Sequence, residues 1–173
     1  MSVSRRAFTK AGLGSAALMT LNPNFSVANE QLIKRVIPSS GESIPIIGVG
    51  TNRYGVGDDL DARAMLKGAL AKFHELGGTV IDTAPSYGSS EVVLGELISD
   101  LGVQKDLFLA SKVDSRNITD NINGFHRSYD RFETTTFDLM QVHNFKDWEN
   151  SLALLKDKKA EGVIRYLGMT THM

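Results

Sequence analysis

Thr79-Val80-Ile81-Asp82-Thr83-Ala84-Pro85-Ser86-Tyr87-Gly88 opens on a short apolar run that stops at a carboxylate, then turns through proline to a tyrosine and a glycine. Working outward from it, the same layout recurs. Leu107-Phe108-Leu109-Ala110-Ser111 ends in Lys112, and Phe137-Asp138-Leu139-Met140-Gln141-Val142 ends in His143. The intervals between the three polar ends are 30 and 31 residues, and the stretches between them have helical periodicity. Repeated strand–helix units of this length describe a parallel α/β barrel, and such barrels carry their chemistry at the carboxyl ends of the strands. The spacing also extends backwards. Ile46-Ile47-Gly48-Val49-Gly50 runs to Thr51, 31 residues before Asp82, and reads as the first barrel strand.

The intervening helices are legible from their apolar spacing. Asp58 or Asp59 caps the first, whose buried face is expected to carry Ala62, Met65, Ala69, Phe73 and Leu76; Gly77-Gly78 ends it. Ser89 or Ser90 caps the second, with Leu94, Leu97 and Leu101 on one face and Gly102 at its end. Ile118, Ile122, Phe125, Tyr129 and Phe132 mark the third; Trp148, Leu152 and Leu155 mark the fourth, which Gly162 closes. Val163 to Met169 reads as a fifth strand, bringing Thr170-Thr171-His172 to the rim shared by the other polar ends. Ahead of the barrel, two short apolar runs flank Pro38-Ser39-Ser40-Gly41-Glu42 and predict a β-hairpin. The expected fold is therefore α/β, of the (β/α)8 TIM barrel family, truncated to about five strands and preceded by an N-terminal hairpin. A closed barrel has eight strands and about 200 to 250 residues, against 145 in residues 29–173.

Bulk properties exclude several classes. The formal charge is −1 with no long run of one sign, which argues against nucleic acid as a partner. There is no cysteine, so neither a disulfide nor a thiolate nucleophile or metal ligand. No apolar run reaches the roughly 18 residues of a stable membrane span. Residues 1–28 read separately from the rest. Ser4-Arg5-Arg6-Ala7-Phe8-Thr9-Lys10 is basic, Ala11 to Leu21 is small and weakly apolar, Pro23 breaks it, and Ser26-Val27-Ala28 suits a signal peptidase. That order is an export signal resembling the twin-arginine type. It implies passage through the twin-arginine machinery to the periplasm, with residues 29–173 as the exported barrel domain.

The rim residues suggest proton transfer. An ammonium beside a phenol favours the phenolate and makes the hydroxyl a readier proton donor. A buried ammonium in turn needs a carboxylate. Tyr87, Lys112, Asp82 and His143 could together protonate a carbonyl oxygen as hydride reaches its carbon. The quartet holds no hydride source, so a cofactor is required. Asp82, His143 and His172 carry no pattern that favours a metal site.

These residues also carry a resemblance. Gly78 to Glu91, with Gly95 after it, resembles the signature segment of the aldo/keto reductases, and Ser111-Lys112-Val113 and Gln141-Val142-His143-Asn144 resemble that family's lysine and histidine segments in order and spacing. The resemblance spans about Arg35 to Thr171. It implies NADPH (less often NADH) as reductant and a small aldehyde or ketone as substrate. It also implies Tyr87 as general acid, Lys112 and Asp82 as the pair that tunes it, and His143 as the group orienting the carbonyl. Thr51, Asp82, Thr170 and Thr171 fall where the family meets the nicotinamide end of its cofactor. Two departures stand out: Asn52-Arg53 where the family often has tryptophan, and Thr170-Thr171 where it usually has Ser-Asn. The family's phosphate and adenosine sites lie on strands seven and eight. Two readings of other classes stand beside the enzyme: a non-catalytic reductase-like subunit that keeps the fold, and an inactive truncated product.

Overall fold

The computed structural model describes residues 32–171. The expected export signal at residues 1–28, the start of the barrel domain up to residue 31, and His172 lie outside the described residues.

A hairpin comes first. Strands β1 (Lys34–Val36) and β2 (Ser43–Pro45) pair antiparallel, with Arg35 opposite Ile44. Strands and helices then alternate: β3 (Gly48–Gly50), α1 (Leu60–Glu75), β4 (Val80–Asp82), α2 (Ser90–Leu101), β5 (Phe108–Val113), α3 (Ile118–Phe132), β6 (Phe137–His143), α4 (Trp148–Ala160) and β7 (Ile164–Thr170). The second sheet has five parallel strands in the order β3-β4-β5-β6-β7, so each strand lies beside its predecessor in the chain. Parallel neighbours need a crossover long enough to return the chain to the same end, and the helices supply it. The hairpin, the five strands and the four intervening helices match the expected truncated barrel.

The core lies where the helices pack on the sheet. Ile81, Leu94, Ile98, Phe137, Met140, Val142, Leu155 and Ile164 are buried there. The central strand β5 is buried at all six positions, with a strand on each of its edges. Asp59 caps α1, its carboxylate accepting from Ala62 N at 3.0 Å. Asn117 caps α3 in the same way, accepting from Thr119 N at 2.8 Å. At the start of α2 the hydroxyls do other work: Ser89 Oγ accepts from Gly57 N at 2.9 Å, and Ser90 Oγ donates to Thr51 O at 2.9 Å. Gly102 ends α2 at φ 67°.

The buried face of α1 is not the expected one. Met65 and Leu76 are 72% and 62% exposed, whereas Leu70 is buried and Leu66 and Phe73 pack on the core. Leu66, Leu70 and Phe73 step by four and three, which is as good a helical stripe as the one predicted. Packing against α2 decides between them, and ion pairs Arg63–Glu96 and Lys67–Asp100 join the same two helices.

The α2–α3 seam is tighter. A methyl group on Gly95 would meet Arg131 O at 1.8 Å, so only glycine fits. Beside it Glu91 is 1% exposed. Its Oε1 accepts from Ser111 Oγ and Ser128 Oγ, both at 2.8 Å, and its Oε2 accepts from Arg131 Nη1 at 2.8 Å. The hairpin is tied down at the amino ends of the strands. Arg165 pairs with Asp138 and Glu42, and Tyr166 Oη donates to Glu42 Oε2 at 2.6 Å. The Tyr166 hydrogen bond, seconded by Arg165 against the opposing effect of burial, holds the Glu42 carboxyl below its usual range.

Candidate active site

Asp82 ends β4, Lys112 is the last but one residue of β5, and His143 ends β6. Parallel pairing sets Asp82 opposite Ala110, Lys112 opposite Gln141, and His143 opposite Thr170. Lys112 therefore lies two residues beyond the partner of Asp82, and His143 two beyond the partner of Lys112. Side chains alternate along a strand, so an even step keeps all three on one face.

The Lys112 side chain is 4% exposed. Its Nζ donates to Asp82 Oδ2 at 2.7 Å and to Thr83 O at 2.7 Å. The other Asp82 oxygen accepts from Gln141 Nε2 at 3.1 Å. The Asp82 side chain keeps 40% exposure, so the ion pair is sealed behind the lysine and open in front of the aspartate. Tyr87 arrives through the turn after β4: its N–H donates to Ala84 O at 3.0 Å, and its carbonyl accepts from Ser90 N at 3.1 Å. Gly55 presses on this turn, since a Cβ there would lie 2.7 Å from Tyr87 O. Lys112 Nζ stands 5.2 Å from the Tyr87 ring centroid. The Tyr87 and His143 rings meet edge to face, with centroids 6.2 Å apart. The four residues expected to act together thus share one mouth.

The residues expected at the cofactor fall out differently. Thr51 has no exposed surface. Its N–H and its hydroxyl both donate to Asp82 O, at 3.1 and 2.9 Å, so it clamps the Asp82 backbone. Thr170 lies opposite His143, and its hydroxyl oxygen is buried with no hydrogen-bond partner among the described residues. Leaving such a group unpaired costs about 1–3 kcal/mol, which a polar ligand atom would recover. Thr171 is exposed.

Sequence reasoning missed two members of this rim, Gln141 and Asp114. The signal was parity: Gln141 is two residues before His143, and Asp114 two after Lys112. The Asp114 side chain is 5% exposed. Its Oδ2 lies 2.9 Å from His143 Nδ1, a close ion contact rather than an aligned hydrogen bond, and its Oδ1 pairs with Lys146 Nζ. Burial pushes the Asp114 carboxyl up, but contacts from Lys146, Ser86 and His143 outweigh it and hold the group below its ordinary value. Lys146 reaches that position through an unusual turn. Asn144, Phe145 and Asp147 have φ of 56°, 54° and 42°, the left-handed region that residues with a Cβ seldom occupy.

Residues 46–172 match the aldo/keto reductase family. The chain is 34% identical over 145 residues to methylglyoxal reductase YeaE of Escherichia coli, covering 79% of this chain and 49% of that protein. It is 34% identical over 110 residues to an aldose reductase of Encephalitozoon cuniculi, covering 61% of this chain and 34% of that one. It spans between 32% and 49% of the curated relatives it matches. An aldo/keto reductase of Klebsiella pneumoniae, solved in complex with NADP and acetate, has the same fold with a TM-score of 0.68 and 26% identity, over 82% of this chain and 51% of that one. By sequence match, by fold and by the segments that build its rim, this chain belongs to the aldo/keto reductase family.

Proposed function

We propose that this chain carries the proton-donating site of an NADPH-dependent reductase of small aldehydes or ketones, with NADH as the alternative reductant. The observation behind the proposal is the convergence of Tyr87, Lys112, Asp82 and His143 on one mouth. The names of the relatives support the reaction class: one is a methylglyoxal reductase and another an aldose reductase.

A carbonyl oxygen seated beside Tyr87 and His143 gains negative charge as hydride reaches its carbon. When bound, NADPH supplies that hydride. The Tyr87 hydroxyl passes its proton to the oxygen, and the Lys112 ammonium stabilises the charge left on the phenolate. Asp82 keeps Lys112 charged and aimed, and is itself held by Gln141 and Thr51. His143 orients the carbonyl oxygen. At the nicotinamide end the partnerless Thr170 hydroxyl suits a polar ring substituent, with the open side of Asp82 beside the same mouth and Thr171 next along the chain. The phosphate and adenosine sites expected on barrel strands seven and eight have no counterpart among the described residues, whose fifth barrel strand is β7.

The test is to mix NADPH with the full-length protein and follow its fluorescence, then assay carbonyl turnover in Tyr87→Phe. Quenching by the wild type and lost turnover in the variant are the expected results; undiminished turnover would remove Tyr87 as the acid. We also propose that residues 1–28 direct twin-arginine export to the periplasm, on the strength of the Arg5-Arg6 segment. Replacing both arginines by lysine should leave the precursor in the cytoplasm, and continued export would overturn that assignment.

A further inference from the structure

His143 turns one side to the mouth, and its other side is closely defined. Among the described residues, the one carboxylate in ion-pair contact with the imidazole is Asp114, 2.9 Å from Nδ1. Both side chains are largely buried, 13% and 5% exposed. An ionised carboxylate at that distance repels a bare nitrogen lone pair and attracts an N–H, so a neutral ring there carries its proton on Nδ1. Nε2 is then the nitrogen left for a ligand.

The carboxylate is not alone. Lys146 pairs with its other oxygen and also donates to the Asp114 carbonyl at 3.2 Å. Lys146 lies within a turn whose Asn144, Phe145 and Asp147 take left-handed φ. Other charges approach from every neighbouring element. Lys112 and Tyr87 come from β5 and the β4–α2 turn, with Asp82 neutralising Lys112. Asp120 and Arg127 of α3 line a cavity of about 190 Å³ that Asp114 shares. These last two offset one another in sign. The charges that act directly on the ring therefore reduce to Asp114 and the lysine that shares it.

We infer that Asp114 is the positioning residue of the site: its carboxylate fixes the ring and the proton of His143, while Lys146 limits how much negative charge that ring feels. The inference rests on the reductase reading for what Nε2 does to a carbonyl, but not for the protonation itself. In that setting the strength of carbonyl recognition follows the Asp114–Lys146 balance and not the imidazole alone.

Long-range ¹H–¹⁵N NMR of the histidine side chains of the full chain tests this without cofactor or turnover, with His143 assigned from a His143→Gln variant. The wild-type neutral ring should show its proton on Nδ1. Asp114→Asn, which keeps the shape and loses the charge, should let the neutral His143 ring populate the Nε2–H tautomer as well. Lys146→Met, which frees the carboxylate from its competitor, should keep the proton on Nδ1 and move its ¹H resonance downfield. The His74 and His126 ring signals should stay in place in both variants, marking an intact fold. A wild-type proton on Nε2, an Asp114→Asn ring that stays wholly on Nδ1, or a Lys146→Met Nδ1–H resonance that does not move, overturns the inference. Failure here leaves the Tyr87 experiment untouched, and failure of the Tyr87 experiment leaves this protonation result standing.

Discussion

Glu91 and Lys112 are the most deeply buried charged residues among those described, at 1% and 3% exposure, and they sit on opposite sides of the same sheet. Glu91 is closed on every side: two serine hydroxyls and one guanidinium occupy its two oxygens, and all three come from the protein. Lys112 is held as firmly, by Asp82 and by Thr83 O, but its partner faces out of the mouth. The difference separates architecture from chemistry. A buried charge whose partners are all internal stabilises one arrangement of helices on a sheet. A buried charge whose partner is left accessible, beside a phenol and an imidazole, keeps its field available to something that arrives later.

This contrast can be broken from either side. Removing the proposed proton donor at the open site, Tyr87→Phe, should lower carbonyl turnover by the full-length protein about 10²- to 10⁴-fold with little change in urea midpoint; equal loss of stability and activity would mean the mouth is as structural as the seam. Removing the sealed charge, Glu91→Ala, should do the reverse. Arg131 loses its buried partner, Ser111 and Ser128 lose their acceptor, and the cost should be about 3–5 kcal/mol by denaturant unfolding, with kcat of the folded fraction retained. The smallest expected effect concerns Tyr129, which packs on the same sealed side. Burial pushes its hydroxyl up to about 12 from 10.0, against a lesser opposing pull from the Phe137 backbone. Because the folded value lies above the unfolded one, this stabilisation is complete below pH 10 and is lost as pH rises towards 12. Urea midpoints measured from pH 9 to 12 should fall more steeply in the wild type than in Tyr129→Phe.

Much of this was legible in the chain. The repeat of about 30 residues fixed the strand order because a right-handed crossover leaves little choice of neighbour. Asp82, Lys112 and His143 were legible because an apolar strand that ends in a charge must deliver that charge to the rim. The face of α1 was not, since two stripes of equal quality compete on that helix and only its neighbour α2 chooses between them. Asp114 was overlooked because it stands beyond the last apolar residue, where a carboxylate reads as ordinary solvent-facing loop. The pairing that buries it comes from Lys146, 32 residues away, through a turn whose left-handed residues are not glycines. Thr51 was expected at the cofactor, but its hydroxyl is spent on a carbonyl 31 residues on, a contact that no local pattern announces.

The register of the rim also constrains how such a chain can vary. Each working side chain climbs two positions past the partner of the one before it, Ala110 to Lys112 and then Gln141 to His143, like treads on a winding stair. A single-residue insertion in β5 or β6 upstream of the tread would turn it to the helix side, where a lysine or histidine would meet Leu94 or Leu155. Loss or gain in pairs would preserve the facing but raise or lower the tread by about 6.6 Å, out of reach of its neighbours. The strands must therefore keep their residue number even where their identities differ.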